Sequence, residues 1–316
     1  MDLYICHTLY HVLIALIRAL RSRPAPSALV LSQTVPEAAA LRQKLLDACP
    51  GLWDSIRIVD ETALDAQNAE SMLYRLRHPG RKPVFSLPRQ GVRIYISNDW
   101  SALGRYLQRE RRVYTLCEDT LGGTLDPDQH LLDRQRAAPA GRYRYWGDSP
   151  CCCTVESEDA SRCTIFPPDK LVTFSKAELL AHLSEEEKGV VRAVFLSEPL
   201  PEHAEGACLL LPRSFVQDGL MDQAEQDAIF RAVADRYCGK PLFIKTHPRD
   251  TTDYHTLFPD AVILPRTMPS EVLNFCLPFK FRRAVTVQSW VLRGFTAAEE
   301  TIFVSLDEAK ELVKQS

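Results

Sequence analysis

The sequence predicts an α/β protein built from two parallel-sheet domains, and three observations carry that expectation. Short apolar runs such as LYIC at the start and LLL at 209–211 alternate with longer stretches of helical character, the rhythm of strands covered by helices on both faces of a parallel sheet. The rhythm occurs twice, broken by a polar, Pro- and Gly-punctuated run over about 122–170 and by a linker-like stretch over 198–206. The length, 316 residues, also exceeds the usual size of one domain, so a division into 1–200 and 201–316 is expected.

Taken in order, the first domain reads as strands over 3–6, 28–32, 56–59, 93–97 and 113–117, with helices over 10–20, 37–48, 63–77 and 100–109 between them. The run over 122–170 reads as an irregular, substrate-facing or edge excursion, and 170–196 as a strand plus helix. The second domain reads as strands over 208–211, 242–244, 262–264, 284–287 and 301–305, with helices over 223–237, 269–275 and 307–314. Two such Rossmann-like halves joined by a linker are expected to enclose a central cleft.

Composition narrows the classes. A formal net charge of -3 argues against general nucleic-acid binding. The basic clusters RLRHPGRK (75–82) and RYLQRERR (105–112) read as solvated helix faces ahead of anionic-substrate or membrane surfaces. The amino-terminal stretch carries Asp2 directly after Met1 and is interrupted by His7, His11 and Arg18, so it reads as part of the fold and not as a signal peptide or membrane span. Ten cysteines without an export signal point to reduced thiols and a cytoplasmic location, with peripheral contact to the inner face of the membrane as an option. Cys151, Cys152 and Cys153 are adjacent and no CxxC pair occurs, so no metal site is expected.

The chemistry collects at strand ends. In GKPLFIKTHPRD (239–250), the charged loop after a buried strand centres on His247, which can carry a proton near neutral pH, beside the stiff Pro248. Arg249 suits a substrate carboxylate, although a salt bridge to Asp250 or Asp253 is the preferred reading. Asp218 precedes Gly219 in the loop after 208–211, and Glu271 lies on the first turn of a short helix. Thr286 and Ser289 close a later strand, where hydroxyls and backbone N–H groups suit a phosphate. A phosphate site from Ser289, Thr286 and His247, a ribose-diol acceptor in Glu271 and a carboxylate in Asp218 together fit a nucleotide-sugar enzyme. In the first domain His7 and Thr8 end the first strand, and Asp119 ends the fifth within CEDT; Tyr145 and Trp146 are candidates for stacking on a sugar.

With LYICHTLYHVLIA at the start, the His-Pro pair in KTHPRD and the hydroxyl element TVQSW about 40 residues later, the chain resembles the bacterial sialyltransferases of glycosyltransferase family 52. It is more distantly similar to the other two-Rossmann bacterial sialyltransferases. The resemblance implies a GT-B type fold and inverting transfer of sialic acid from CMP-sialic acid to a terminal galactoside of a surface glycan such as lipooligosaccharide. It implies that His247 contacts and protonates or stabilises the CMP phosphate, that Ser289 with Thr286 holds it, and that Glu271 holds the ribose. For the base, Asp218 is favoured over Asp119, where Thr120 replaces the glycine of related first-domain motifs. A single-phosphate donor implies no cofactor and no metal, and the DxD triplet at Asp126-Pro127-Asp128 reads as a turn. A homodimer is compatible with the family. The rivals are a transferase or epimerase on another nucleotide sugar, such as CMP-Kdo or a UDP-sugar, and a catalytically silent glycan-binding protein.

Overall fold

The computed structural model describes residues 1–315 apart from 71–76, 79, 81, 89–90, 120–142, 197–199, 202–203 and 205. The chain divides into two compact units, Met1–Val190 and Val191–Ser316. The first carries a seven-stranded sheet in the order β3-β2-β1-β4-β5-β6-β7. Its strands are β1 (Asp2–Cys6), β2 (Ser27–Ser32), β3 (Trp53–Val59), β4 (Arg93–Ile96), β5 (Tyr114–Cys117), β6 (Cys152–Ser157) and β7 (Leu171–Thr173). Every neighbouring pair is parallel. The helices are α1 (Leu9–Arg21), α2 (Ala38–Ala48), α3 (Glu61–Ala69), α4 (Ala102–Arg109), α5 (Lys176–Ala181) and α6 (Glu185–Phe195). All residues of β1 and β2 are buried, as strands covered on both faces must be. The division falls inside α6 and not in the 198–206 stretch.

Strand β6 lies inside the run expected to be irregular. Its Cys152 is buried and Cys153 exposed, the alternation that separates adjacent residues of a strand. Glu156 is buried within it because Arg18 of α1 pairs with its carboxylate, one contact being Nη1 to Oε1 at 3.2 Å. A strand that buries a glutamate through a distant arginine does not look apolar in sequence. Helix α3 ends at Ala69, and much of the remainder of the helix expected to 77 lies outside the described residues. The triplet Asp126-Pro127-Asp128 also lies outside them.

The start of α4 explains one glycine. Ser101 caps the helix by accepting from Gly104 N at 3.1 Å, and a Cβ at Gly104 would stand 2.0 Å from the Asp99 carbonyl oxygen. Gly104→Ala is therefore expected to destabilise the fold by about 1–3 kcal/mol, the usual cost of overpacking. A lowered denaturant midpoint with an unchanged slope is the expected reading.

The second unit carries a five-stranded parallel sheet in the order β10-β9-β8-β11-β12. Its strands are β8 (Cys208–Leu211), β9 (Leu242–Lys245), β10 (Val262–Leu264), β11 (Phe281–Val287) and β12 (Ala298–Val304). The helices are α7 (Gln223–Tyr237), α8 (Tyr254–Leu257), α9 (Leu273–Cys276) and α10 (Leu306–Gln315). Phe215, Ile229, Phe230, Val233, Ile244 and Val285 form the centre of its core. In both sheets the strand order reverses beside the first strand, at β1/β4 and β8/β11. Open α/β sheets form ligand crevices at such switch points, beyond the carboxyl ends of the strands. Among the described residues no helix is long and apolar enough to cross a membrane.

Candidate functional site

The loop after β9 shows why histidine and proline stand together. Asp250 N donates to the His247 carbonyl at 3.0 Å, closing a four-residue turn in which Pro248 occupies the second position, where its fixed φ fits. Beneath the turn the buried Asp250 carboxylate accepts from Thr252 N at 3.0 Å, Thr252 Oγ1 at 2.7 Å and Tyr254 OH at 2.7 Å. The loop is thereby fixed from below. Arg249 N donates to His247 Nδ1 at 3.2 Å, which assigns the proton of the neutral ring to Nε2. Burial, followed by the positive charges of Arg249 and Lys245, lowers the His247 pKa to about 4 against the opposing pull of Asp218 and Asp250. The ring is neutral at pH 7 and presents an N–H donor.

Around it lies a set of cations. The buried Lys245 Nζ donates to the Thr246 carbonyl at 2.7 Å, and burial lowers its pKa to about 7 against the attraction of Glu271. Burial in turn raises the pKa of Glu271, which sits on the 3-10 turn Ser270–Val272. Arg213 Nε donates to Asp218 Oδ2 at 3.0 Å and Arg249 Nη2 to Asp218 Oδ1 at 3.0 Å, so each carboxylate oxygen meets a guanidinium. Arg249 thus pairs with Asp218 and not with the expected Asp250 or Asp253, whose oxygens serve their own turns.

The end of β11 joins the same set. Arg213 Nη1 donates to the Gln288 carbonyl at 2.9 Å. Gln288 has φ of 47°, the left-handed region that a non-glycine residue seldom occupies, and Leu306 N holds its side chain at 3.1 Å. After this reversal the half-buried Ser289 caps a 3-10 turn, accepting from Val291 N at 3.3 Å. Thr286 does not join the phosphate candidates: it is fully buried, and its hydroxyl donates to the Leu211 carbonyl at 2.7 Å, tying β11 to β8.

The first unit builds a second polar group at its strand ends. His7 follows β1, and Thr8 caps α1 by accepting from His11 N at 3.2 Å. His7 N donates to His11 Nδ1 at 3.2 Å, and His11 Nε2 contacts Asp119 Oδ1. Burial opposes ionisation of Asp119, but the His11 contact and the charges of Lys176 and His7 outweigh it and its pKa is lowered. His7 Nε2 lies 3.2 Å from Glu61 Oε1, at ion-pair distance without hydrogen-bond alignment. Burial of Glu61 is likewise overcome, by His7, by the Ser32 hydroxyl at 2.5 Å and by the Leu103 amide, so that its pKa lies at about 2. Tyr145 and Trp146 are half-buried: the Trp146 and Gly147 amides bind the buried Asp99 carboxylate at 2.7 and 2.9 Å, and Trp146 packs beside Trp100. His11, Glu61 and Arg213 are absent from the candidates read in sequence. Only His11 leaves a local trace there, one turn beyond His7 and three residues beyond the capping Thr8.

Fold and site together define a two-unit, parallel-sheet α/β protein with charged groups at the strand carboxyl ends of each sheet. Its structure is similar to that of the α/β-galactoside α-2,3-sialyltransferase of the luminous marine bacterium Photobacterium phosphoreum, with a TM-score of 0.56 and 10% identity over 99% of this chain and 93% of the other. That likeness shows a shared fold. The GT-B domain of a sialyltransferase from Photobacterium damselae aligns over 96% of this chain and 100% of its own at 12% identity, with a TM-score of 0.40, too low to add to the fold assignment. In sequence, 81 residues are 35% identical to an uncharacterised protein of Haemophilus influenzae; the match spans 26% of each chain. No known family profile matches the chain.

Proposed function

We propose that the protein is an inverting sialyltransferase that moves sialic acid from CMP-sialic acid to a galactoside hydroxyl. The observation that carries this reading is the His247 turn, which sets a neutral Nε2–H donor near Lys245 and Arg249, while Arg213 bridges Asp218 to the Gln288 carbonyl next to the Ser289 cap. A cation-rich loop at the carboxyl end of β9, one strand from the β8/β11 switch point, suits the phosphodiester of a CMP-sugar and the monoester that leaves it. The fold shared with a bacterial sialyltransferase supports the donor class.

In this scheme the bond from the donor carbon to the CMP phosphate oxygen breaks and its electron pair passes to the phosphate. The acceptor oxygen bonds to the same carbon from the opposite face, and its proton goes to a carboxylate. His247, Lys245 and Ser289 meet the charge that grows on the phosphate, so the scheme calls for no divalent cation. Glu271, near Lys245, holds the ribose hydroxyls. For the base we favour Asp119, which reverses the weight given by sequence. Both oxygens of Asp218 are taken by guanidiniums, whereas the Asp119 side chain is 33% exposed. Asp218 then serves to space Arg213 and Arg249.

A thermal-shift comparison of CMP, UMP and GMP tests the donor class. CMP at about 100 times its Kd is expected to stabilise the fold by about 2.7 kcal/mol. Stabilisation by UMP or GMP with none by CMP would move the protein to another nucleotide.

A further inference from the structure

We propose that Gln288 is a positioning residue for the donor phosphate: its left-handed backbone, held by β12, α10 and the loop after β8, turns the chain at the end of β11 so that the next hydroxyl, Ser289, meets the phosphate. The inference rests on the reading of Ser289 as a phosphate ligand, and goes beyond it by assigning what aims that hydroxyl.

Among the described residues, four that are not glycine have a left-handed φ, Glu37, Arg111, Trp146 and Gln288, and only Gln288 directly follows a strand. That conformation is unfavourable for a residue with a Cβ and persists where the surroundings over-determine it. Three contacts do so here. Gln288 N donates at 2.9 Å to the carbonyl of Val304, the last residue of β12. Its side-chain Oε1 accepts from Leu306 N at 3.1 Å, an amide at the start of α10 that no carbonyl within the helix can reach. Its carbonyl accepts from Arg213 Nη1 at 2.9 Å. Arg213 is fixed in turn: Nε donates to Asp218 Oδ2 at 3.0 Å, and Oδ1 accepts from Arg249 Nη2 at 3.0 Å in the loop of His247. One guanidinium thus ties the end of β11 to the loops after β8 and β9. It also covers a carbonyl oxygen that would otherwise repel an anion, and leaves a positive charge beside it.

The consequence for Ser289 follows from strand parity. In an uninterrupted strand residue 289 would point to the side of Val285 and Val287, both fully buried in the core. The left-handed Gln288 breaks that alternation, and Ser289 emerges half-buried with φ of -135° and ψ of 142°. Its Oγ accepts from Val291 N at 3.3 Å, which orients the side chain. A hydroxyl that accepts through a lone pair still has its O–H to donate.

The test is steady-state transfer from CMP-N-acetylneuraminic acid to lactose with Gln288→Gly, Gln288→Val, Ser289→Ala and the double variant of Gln288→Val with Ser289→Ala, circular dichroism confirming the fold of each. Glycine takes the left-handed region freely and a β-branched residue resists it, while both remove the side-chain amide. Ser289→Ala is expected to lower kcat by about 10²-fold, the usual loss of one donor to developing charge. Gln288→Val is expected to lower kcat at least about tenfold, and Gln288→Gly to stay at least about fivefold above Gln288→Val. In the Ser289→Ala background Gln288→Val is expected to cost less than about twofold more, because a residue that acts through Ser289 has nothing left to position. Equal rates in the glycine and valine variants, or losses that multiply in the double variant, overturn the inference and leave the role of Ser289 standing. Should the valine variant fail to fold, Gln288→Ala takes its place in both comparisons, since alanine also disfavours this φ, and a glycine variant no better than the alanine one overturns the inference equally. Full activity in folded Ser289→Ala removes the phosphate reading of that hydroxyl, and the inference with it.

Discussion

Asp119→Asn is expected to reduce sialyl transfer by at least about 10²-fold, within the range that a general base contributes, while CMP still raises the thermal midpoint as in the unmodified protein. The substitution is nearly isosteric. Its amide oxygen can still accept from His11 Nε2–H, so the contact between α1 and β5 survives. What is lost is a basic oxygen able to take a proton. Asp218→Asn separates the two candidates, because it removes a full charge from between Arg213 and Arg249, each 3.0 Å from the carboxylate. Its expected signature is a changed donor KM with a smaller fall in kcat, since it disturbs anion-binding groups rather than the proton's destination. A rate abolished by Asp218→Asn and spared by Asp119→Asn would return the base to the second unit.

How far these groups can be read in sequence depends on how local their causes are. Strands β8 and β9 are legible because a few consecutive apolar residues suffice to fill a position buried on both sides. The His-Pro loop is legible for the same reason, since the turn uses His247, Pro248 and Asp250 alone. β6 is hidden because its burial depends on Arg18, 138 residues from Glu156. His11 and Asp119 are 108 residues apart, so no spacing rule could join them. Thr286 misleads in the opposite direction: a hydroxyl at a strand end suggests a ligand group, yet strand parity turns it onto the Leu211 carbonyl, and the left-handed Gln288 passes the exposed role to Ser289. The sequence therefore locates the end of β11 as a site but mixes its structural hydroxyl with its accessible one.

His247→Ala is expected to lower transfer by about 10²–10³-fold, the usual cost of removing a donor aimed at developing negative charge. The larger part should appear in kcat and not in donor KM, because charge on the phosphate oxygen grows only as the glycosidic bond breaks. The fold should tolerate the change. The turn's own closure runs through the His247 carbonyl and Asp250 N at 3.0 Å, and Asp250 is held by Thr252 and Tyr254, none of which needs the imidazole. The sign of the pH dependence follows from the surroundings of the ring. Burial and the neighbouring Arg249 and Lys245 hold the ring pKa at about 4, so the free protein's His247 is neutral through the range where an ordinary histidine titrates. If it acts as a neutral Nε2–H donor, kcat/KM shows no limb from His247 near pH 6.5; a kcat that falls as pH rises would mean instead that the bound phosphate raises the ring's pKa and that the protonated ring is the donor. Transfer at the unmodified rate in folded His247→Ala would remove the leaving-group role from this turn and pass it to Lys245 and the arginines beside it.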